Sequence, residues 1–149
     1  MRAVIQRVRK ASVEVEGRAT GAIQTGLVVF LAVRKGDGEP EIQYLAEKIM
    51  DLRVFPDEKQ AMNRSLRELG GEILLVSQFT LYGDCRRGRR PSFDEAEAPE
   101  RASQVYGAFA RYLSDSGFTP QEGVFGASML VHIENDGPVT MLLDSEKRF

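Results

Sequence analysis

GLVVFLAV, the run from Gly26 to Val33, is the longest apolar stretch in the chain, and its length decides what kind of fold it belongs to. A membrane-spanning helix needs roughly 18 such residues. A short run of this kind reads instead as a strand buried on both faces. Around it the chain is rich in strands. Ala3 to Val8 and Ser12 to Val15 alternate as strands, with turns at Gly17 and Gly21, and Ile73 to Ser77 is a second short apolar strand after the turn at Gly70-Gly71. Two stretches carry helical spacing. Ile42, Leu45, Ala46, Ile49 and Met50 define an amphipathic helix over Glu41 to Leu52. Ala102, Val105, Tyr106, Phe109 and Leu113 define a second one, opened by Pro99 and ended by Gly117.

Strands on both sides of two isolated helices predict an α+β fold: a barrel-like, mostly antiparallel curved sheet with two main helices packed outside. The 149 residues suit a single domain, 1–149, large enough to bury a core without a metal or disulfide. One cysteine, Cys85, cannot form an internal bridge, and no leader-like segment opens the chain, so a cytoplasmic protein is expected. Twenty Lys and Arg against 22 Asp and Glu leave a formal charge of −2, which argues against a long non-specific grip on duplex nucleic acid.

Several chemistries find no support. The lone histidine, His132, reads as a half-exposed strand residue with no nucleophile paired to it. No H-x-x-x-H or C-x-x-C spacing is present, so no metal and no cofactor are expected. Gly70-Gly71 precedes a strand rather than a helix, and so is a turn and not a phosphate loop. Cys85 beside Arg86, Arg87, Arg89 and Arg90 reads as incidental.

Two contiguous segments stand out. SQFTLYGD (Ser77 to Asp84) brings polar side chains and backbone amides to the end of an apolar strand, a rigid platform for a site. CRRGRRPSF (Cys85 to Phe93) places four arginines in five positions, either a solvated loop or an anion-binding one. A third segment, IENDGPVTMLLDS (Ile133 to Ser145), reads as a β-hairpin turning at Asn135-Asp136-Gly137, with Pro138 removing a ladder donor from the returning strand.

Taken in order, MRAVIQRVRKASVEV, SQFTLYGD, RGRRPSF, GVFGASMLV and NDGPVTMLLDS resemble the D-aminoacyl-tRNA deacylase family across essentially the whole chain. Gly83, Cys85, Arg86 and Ser128 depart from the residues most usual there, without touching a signature position. The resemblance implies a homodimeric hydrolase that cleaves the ester between a D-amino acid and the 3′ acceptor end of tRNA; because a site that excludes an L side chain cannot exclude hydrogen, glycine mischarged on tRNA(Ala) is expected to be cleaved as well. It implies a cis Gly137-Pro138 step that enters the partner subunit's site and rejects L-aminoacyl esters. Ser77, Gln78, Phe79 and Thr80 are expected at the reaction: an activated ester needs little beyond orientation and oxyanion donors, for which the Phe79 and Thr80 amides are the candidates, and Thr80, with no base near it in sequence, reads as orienting, attack by its hydroxyl being the alternative. Substrate contacts are implied for Gly137, Pro138, Met129, Arg86, Pro91, Ser92 and Phe93. Two alternatives stay open: a relaxed-chirality deacylase with a trans Gly-Pro, and a nucleic-acid-binding dimer without turnover.

Overall fold

The structure is a computed structural model that describes residues 1–148. Its strands are β1 (Arg2–Val15), β2 (Arg18–Ile23), β3 (Gly26–Ala32), β4 (Phe55–Pro56), β5 (Met62–Arg64), β6 (Glu72–Ser77), β7 (Gln121–Glu122) and β8 (Leu130–Asp144). The helices are α1 (Glu39–Asp51), the single-turn α2 (Leu66–Leu69) and α3 (Pro99–Asp115), with a 3-10 turn over Phe79–Tyr82. The main sheet runs β2-β1-β3-β6-β7, and β8 pairs with β1. Four of the six ladders are antiparallel; β6 is parallel to both β3 and β7. The α+β, barrel-like expectation therefore holds. Among the described residues no helix is long and apolar enough to cross a membrane.

GLVVFLA is apolar throughout because β3 is the middle of this sheet. Leu27, Val29 and Leu31 face a core shared with α1 and α3, while Val28 and the partly buried Phe30 face a second cluster on the opposite side. Ile73 and Leu75 of β6 join the first core, and Leu74 and Val76 the second. The helices close the first core with the stripes visible in the sequence, Ile42, Leu45, Ala46, Ile49 and Met50 from α1 and Val105, Tyr106, Phe109 and Leu113 from α3. Glu41 caps α1 by accepting from the Gly38 amide at 2.8 Å.

The structure departs from the sequence expectation at several stretches: Gly21, for one, lies within β2 rather than at a turn. Ala3–Val8 and Ser12–Val15 are one 14-residue strand whose register slips between Val8 and Ala11, so that Ile5 and Val8 serve different cores. Nor is the segment around Gly137 a hairpin. β8 runs in one direction along β1, from Leu130 opposite Glu14 to Asp144 opposite Arg2. Between Asn135, opposite Val8, and Thr140, opposite Gln6, the intervening residues arch out of the ladder. Gly137 sits there at φ +114° and the Gly137–Pro138 peptide is cis. Turn-forming residues produce an arch rather than a reversal because β1 is long enough to template both halves of β8. GVFGASMLV, from Gly123 to Val131, is mostly loop, β8 starting only at Leu130.

Candidate active site

The β3–β6 ladder ends where Leu31 pairs with Ser77, and the Gln78 amide donates to Leu31 O at 2.8 Å. The chain then tightens into the 3-10 turn. Its first internal hydrogen bond comes from the Leu81 amide to Gln78 O at 3.2 Å, so the Phe79 and Thr80 amides lie ahead of the turn's own bonding. Gln78 Nε2 donates to Thr80 Oγ1, tying the two polar side chains together. The turn is anchored through buried Tyr82. The Arg2 guanidinium lies 4.5 Å from the Tyr82 ring centroid, donates to Leu81 O at 3.1 Å and pairs with buried Asp144 at 3.0 Å. Burial pushes the Tyr82 phenol well above its ordinary pKa, and the nearby Asp37 and Asp144 carboxylates add to the shift.

This turn borders a cavity of about 520 Å³. Its walls are Leu31 and Ala32 of β3 with Val33 just beyond it, Val76–Phe79, Phe93, Ala96 and Glu97 from the loop before α3, Pro99 and Ala102 of α3, and Phe125–Ala127 with Met129 and Val131. Gly123 makes room for Met129: a Cβ there would fall 2.5 Å from the Met129 sulfur. Tyr106 supports Phe125 from the core, with ring centroids 5.8 Å apart, and donates to Leu75 O at 3.0 Å. Burial raises the Tyr106 phenol far above its ordinary value.

Glu97 is the one ionisable side chain among these lining residues. It is 12% exposed, accepts from the Ala98 amide at 2.9 Å and lies 3.4 Å from Arg101 Nε. The cavity thus offers an apolar slot, a rim of backbone amides and amide or hydroxyl side chains, and very little acid–base equipment. Among the described residues no group of three or more His, Cys, Asp or Glu side chains is placed to hold a metal ion.

Of the residues singled out in the sequence, Ser77, Gln78, Phe79, Phe93 and Met129 converge on this cavity, with Thr80 beside them. Arg86 and Pro91 are exposed in a loop closed by reciprocal backbone hydrogen bonds between Asp84 and Ser92, at 2.8 and 3.0 Å. Arg86 is turned back on Asp84 by two side-chain hydrogen bonds of 2.9 and 2.7 Å, which pull the Asp84 carboxyl down to about 2. Ser92 Oγ donates to Asp94 at 3.0 Å.

Gly137 and Pro138 lie elsewhere. Both are exposed and line a separate groove with Arg7, Phe55 and Met62. Arg7 Nε is 3.1 Å from Asp136 Oδ2, close enough for an ion pair though not aligned for a hydrogen bond, and Arg7 Nη1 donates to Val54 O at 2.7 Å.

Phe125, Ala96 and Glu97 had no local signal. Ala96 and Glu97 reach the cavity because the loop after Phe93 folds back onto the segment following β3, the Glu97 amide donating to Val33 O at 3.0 Å and the Lys35 amide to Glu95 O at 3.1 Å, while Phe125 comes from the loop between β7 and β8. Phe125 stands inside GVFGASMLV, so that segment could have pointed to it.

Residues 4–144 match the family model described as D-Tyr-tRNA(Tyr) deacylase. The chain is 57% identical to a D-aminoacyl-tRNA deacylase of Syntrophomonas wolfei and 56% identical to one of Koribacter versatilis, over all 149 residues and the full length of each relative. Among solved structures, one titled c-Myc DNA Unwinding Element Binding Protein superposes with a TM-score of 0.92 at 41% identity, covering 97% of this chain and 98% of that one. A probable eukaryotic D-amino acid tRNA deacylase shares the fold at a TM-score of 0.81 and 17% identity, covering 95% and 97% of the two chains. The chain belongs to the D-Tyr-tRNA(Tyr) deacylase family.

Proposed function

We propose that this protein hydrolyses the ester joining a D-amino acid to the terminal adenosine of tRNA, and that it does so as a homodimer. The reading is carried by one observation: Ser77, Gln78, Phe79, Phe93 and Met129, distant in sequence, border a single apolar cavity at a strand end. The apolar slot suits the adenosine, and the polar rim suits the ester. An aminoacyl ester is already activated, so orientation and donors for the developing oxyanion suffice. The Phe79 and Thr80 amides are those donors, Gln78 holds the α-amino group or the adenosine, and Ser77 and Thr80 orient the reacting groups.

Gly137 and Pro138 of one subunit enter the site of the other. This is supported by their exposure and by their distance from the cavity of their own chain, which they do not line. Enantiomers carry the same atoms, so only the position where bulk is tolerated about the α-carbon separates them. The main chain at Gly137–Pro138 occupies the place of an L side chain, and the D side chain points away. Such a wall cannot exclude hydrogen, so glycyl-tRNA is also a substrate.

Paired deacylation assays on D-tyrosyl-, L-tyrosyl- and glycyl-tRNA test the reading. The D and glycyl esters should be cleared at enzyme levels that spare the L ester. Equal clearance of the L ester overturns the wall, and survival of all three overturns the hydrolase.

A second reading, a nucleic-acid-binding dimer without turnover, is favoured by the exposed arginine loop and by the DNA-binding name of the 41%-identical structure. Salt-sensitive RNA binding with the D ester left intact would support it instead.

A further inference from the structure

Phe79 is 55% exposed, the one aromatic ring among the exposed large apolar side chains of the described residues, in a turn otherwise secured by buried Tyr82. The ring is nevertheless fixed. It stands edge-on to Phe93, with centroids 5.0 Å apart and planes at 65°. Phe93 in turn fits against the 3-10 turn because residue 83 is glycine: a Cβ there would lie 3.1 Å from Phe93 Cε1. Phe79 is therefore a braced aromatic surface on the rim of the cavity, more than half open.

The loop bracketed by Asp84 and Ser92 ends at Phe93 and carries four exposed arginines. Arg86 is committed to Asp84. Among the described residues, Arg87, Arg89 and Arg90 have no acidic side chain within ion-pair distance. A guanidinium matches a phosphate in shape and charge, and an open aromatic face takes an unpaired base of any sequence. With Phe79 and Phe93 lining a nucleoside-sized cavity and the arginine loop ending at Phe93, the set fits a single-stranded nucleic-acid end.

We infer that Phe79 stacks on the base of the nucleotide immediately preceding the terminal adenosine, while Arg87, Arg89 and Arg90 hold the phosphates on its 5′ side. This rests on the deacylase reading above and adds a second nucleotide subsite to it. Phe79 then serves twice: its amide at the ester, its ring at the neighbouring base.

Three small substrates test the subsite: the D-tyrosyl ester of adenosine, that of the dinucleotide cytidylyl-adenosine, and that of the same dinucleotide with the cytosine base removed. For the wild-type enzyme, KM should be about tenfold lower for the dinucleotide ester than for either other ester, the size expected for one base–aromatic stack. Phe79→Leu should erase most of that difference, and Phe79→Trp should restore it. The charge-reversing R89E/R90E pair should raise KM for D-tyrosyl-tRNA and flatten its salt dependence.

An abasic ester as good as the cytidine one overturns the inference. So does a Phe79→Leu enzyme whose loss is equal on all three esters, or one whose loss follows a weakened dimer in sedimentation, since Phe79 would then serve the aminoacyl pocket or a second copy of the chain. Hydrolysis of every D ester without a dinucleotide preference removes this subsite alone. A wild-type enzyme inert toward every ester removes the deacylase reading and the subsite with it.

Discussion

Arg7 and Gly137 are packed so closely that a Cβ on the glycine would fall 2.8 Å from Nη2 of the arginine, and 2.9 Å from Val139 Cγ2 on its other side. The arginine is itself held by Val54 O and Asp136, and Asp136 also receives Arg9 at 3.2 Å. The arch of β8 is thus clamped to the strand it departs from. A rigid arch is what a steric wall requires, because a displacement of about 1 Å can cost two orders of magnitude in a positioned reaction.

Gly137→Ala should therefore disturb the proposed wall while leaving the fold. The substitution places a side chain at φ +114° and against Arg7, a local cost of about 1–3 kcal/mol. We expect a cooperative unfolding transition only slightly lower than wild type, with kcat/KM for D-tyrosyl-tRNA down by about 100-fold. Wild-type kcat/KM in this variant would remove residue 137 from the site.

The Asp84–Arg86 clamp makes a prediction about pH. Arg86 holds the Asp84 carboxyl at about 2, below its ordinary 3.8. A depressed folded-state pKa contributes stability above the unfolded value and loses it as pH falls toward the folded one. The loop should accordingly be indifferent to pH near neutrality and loosen only between about pH 4 and pH 2. Carboxyl NMR titration should give an Asp84 midpoint near 2 that returns toward 3.8 in Arg86→Ala. An unshifted midpoint in the wild type would mean that the clamp is absent in solution.

Asp37 is the counterpart for the core. It is 5% exposed, accepts from the buried Met1 ammonium at 2.8 Å and from the Arg34 amide at 2.6 Å, while Arg101 donates to its carbonyl at 3.1 Å. Asp37→Asn leaves a buried cation without its charge partner, which costs about 3 kcal/mol. Thermal unfolding should fall by several degrees. A melting temperature equal to wild type would show that water or Ser145, 2.6 Å from the ammonium, compensates fully.

Periodicity in the sequence was enough for the elements that build the core, because each apolar stripe meets a packing partner: β3 in mid-sheet, α1 and α3 on its outer side. It misled at Asn135–Pro138, where turn chemistry is real but the partner strand overrides the reversal. It was silent on α2 and on the β4–β5 ribbon, which are too short to show a period. At the site the same division holds. SQFT and Phe93 were legible as a local cluster of polar, aromatic and basic residues. Glu97 and Ala96 were not, since their place follows from a loop folding back onto Val33.

Thr80 poses the last question, whether its hydroxyl attacks or orients. The Oγ1 atom already accepts from Gln78 Nε2, and the cavity lining offers no histidine and one carboxylate, Glu97, engaged with Arg101. An unassisted hydroxyl is a poor nucleophile. On the proposed reading the substrate itself brings a proton acceptor, the ribose 2′-hydroxyl beside the ester, to activate water, with the Phe79 and Thr80 amides as the proposed oxyanion donors. Thr80→Ala should then keep kcat within about tenfold of wild type. A 2′-deoxy terminal adenosine should slow the enzymatic reaction by at least about 100-fold more than it slows spontaneous hydrolysis, the lower end of what a lost general acid–base contributes. The reverse pair of results, an inert Thr80→Ala and an indifferent 2′-deoxy ester, would point to a covalent threonyl intermediate, and rapid-quench trapping of acylated enzyme would then show it.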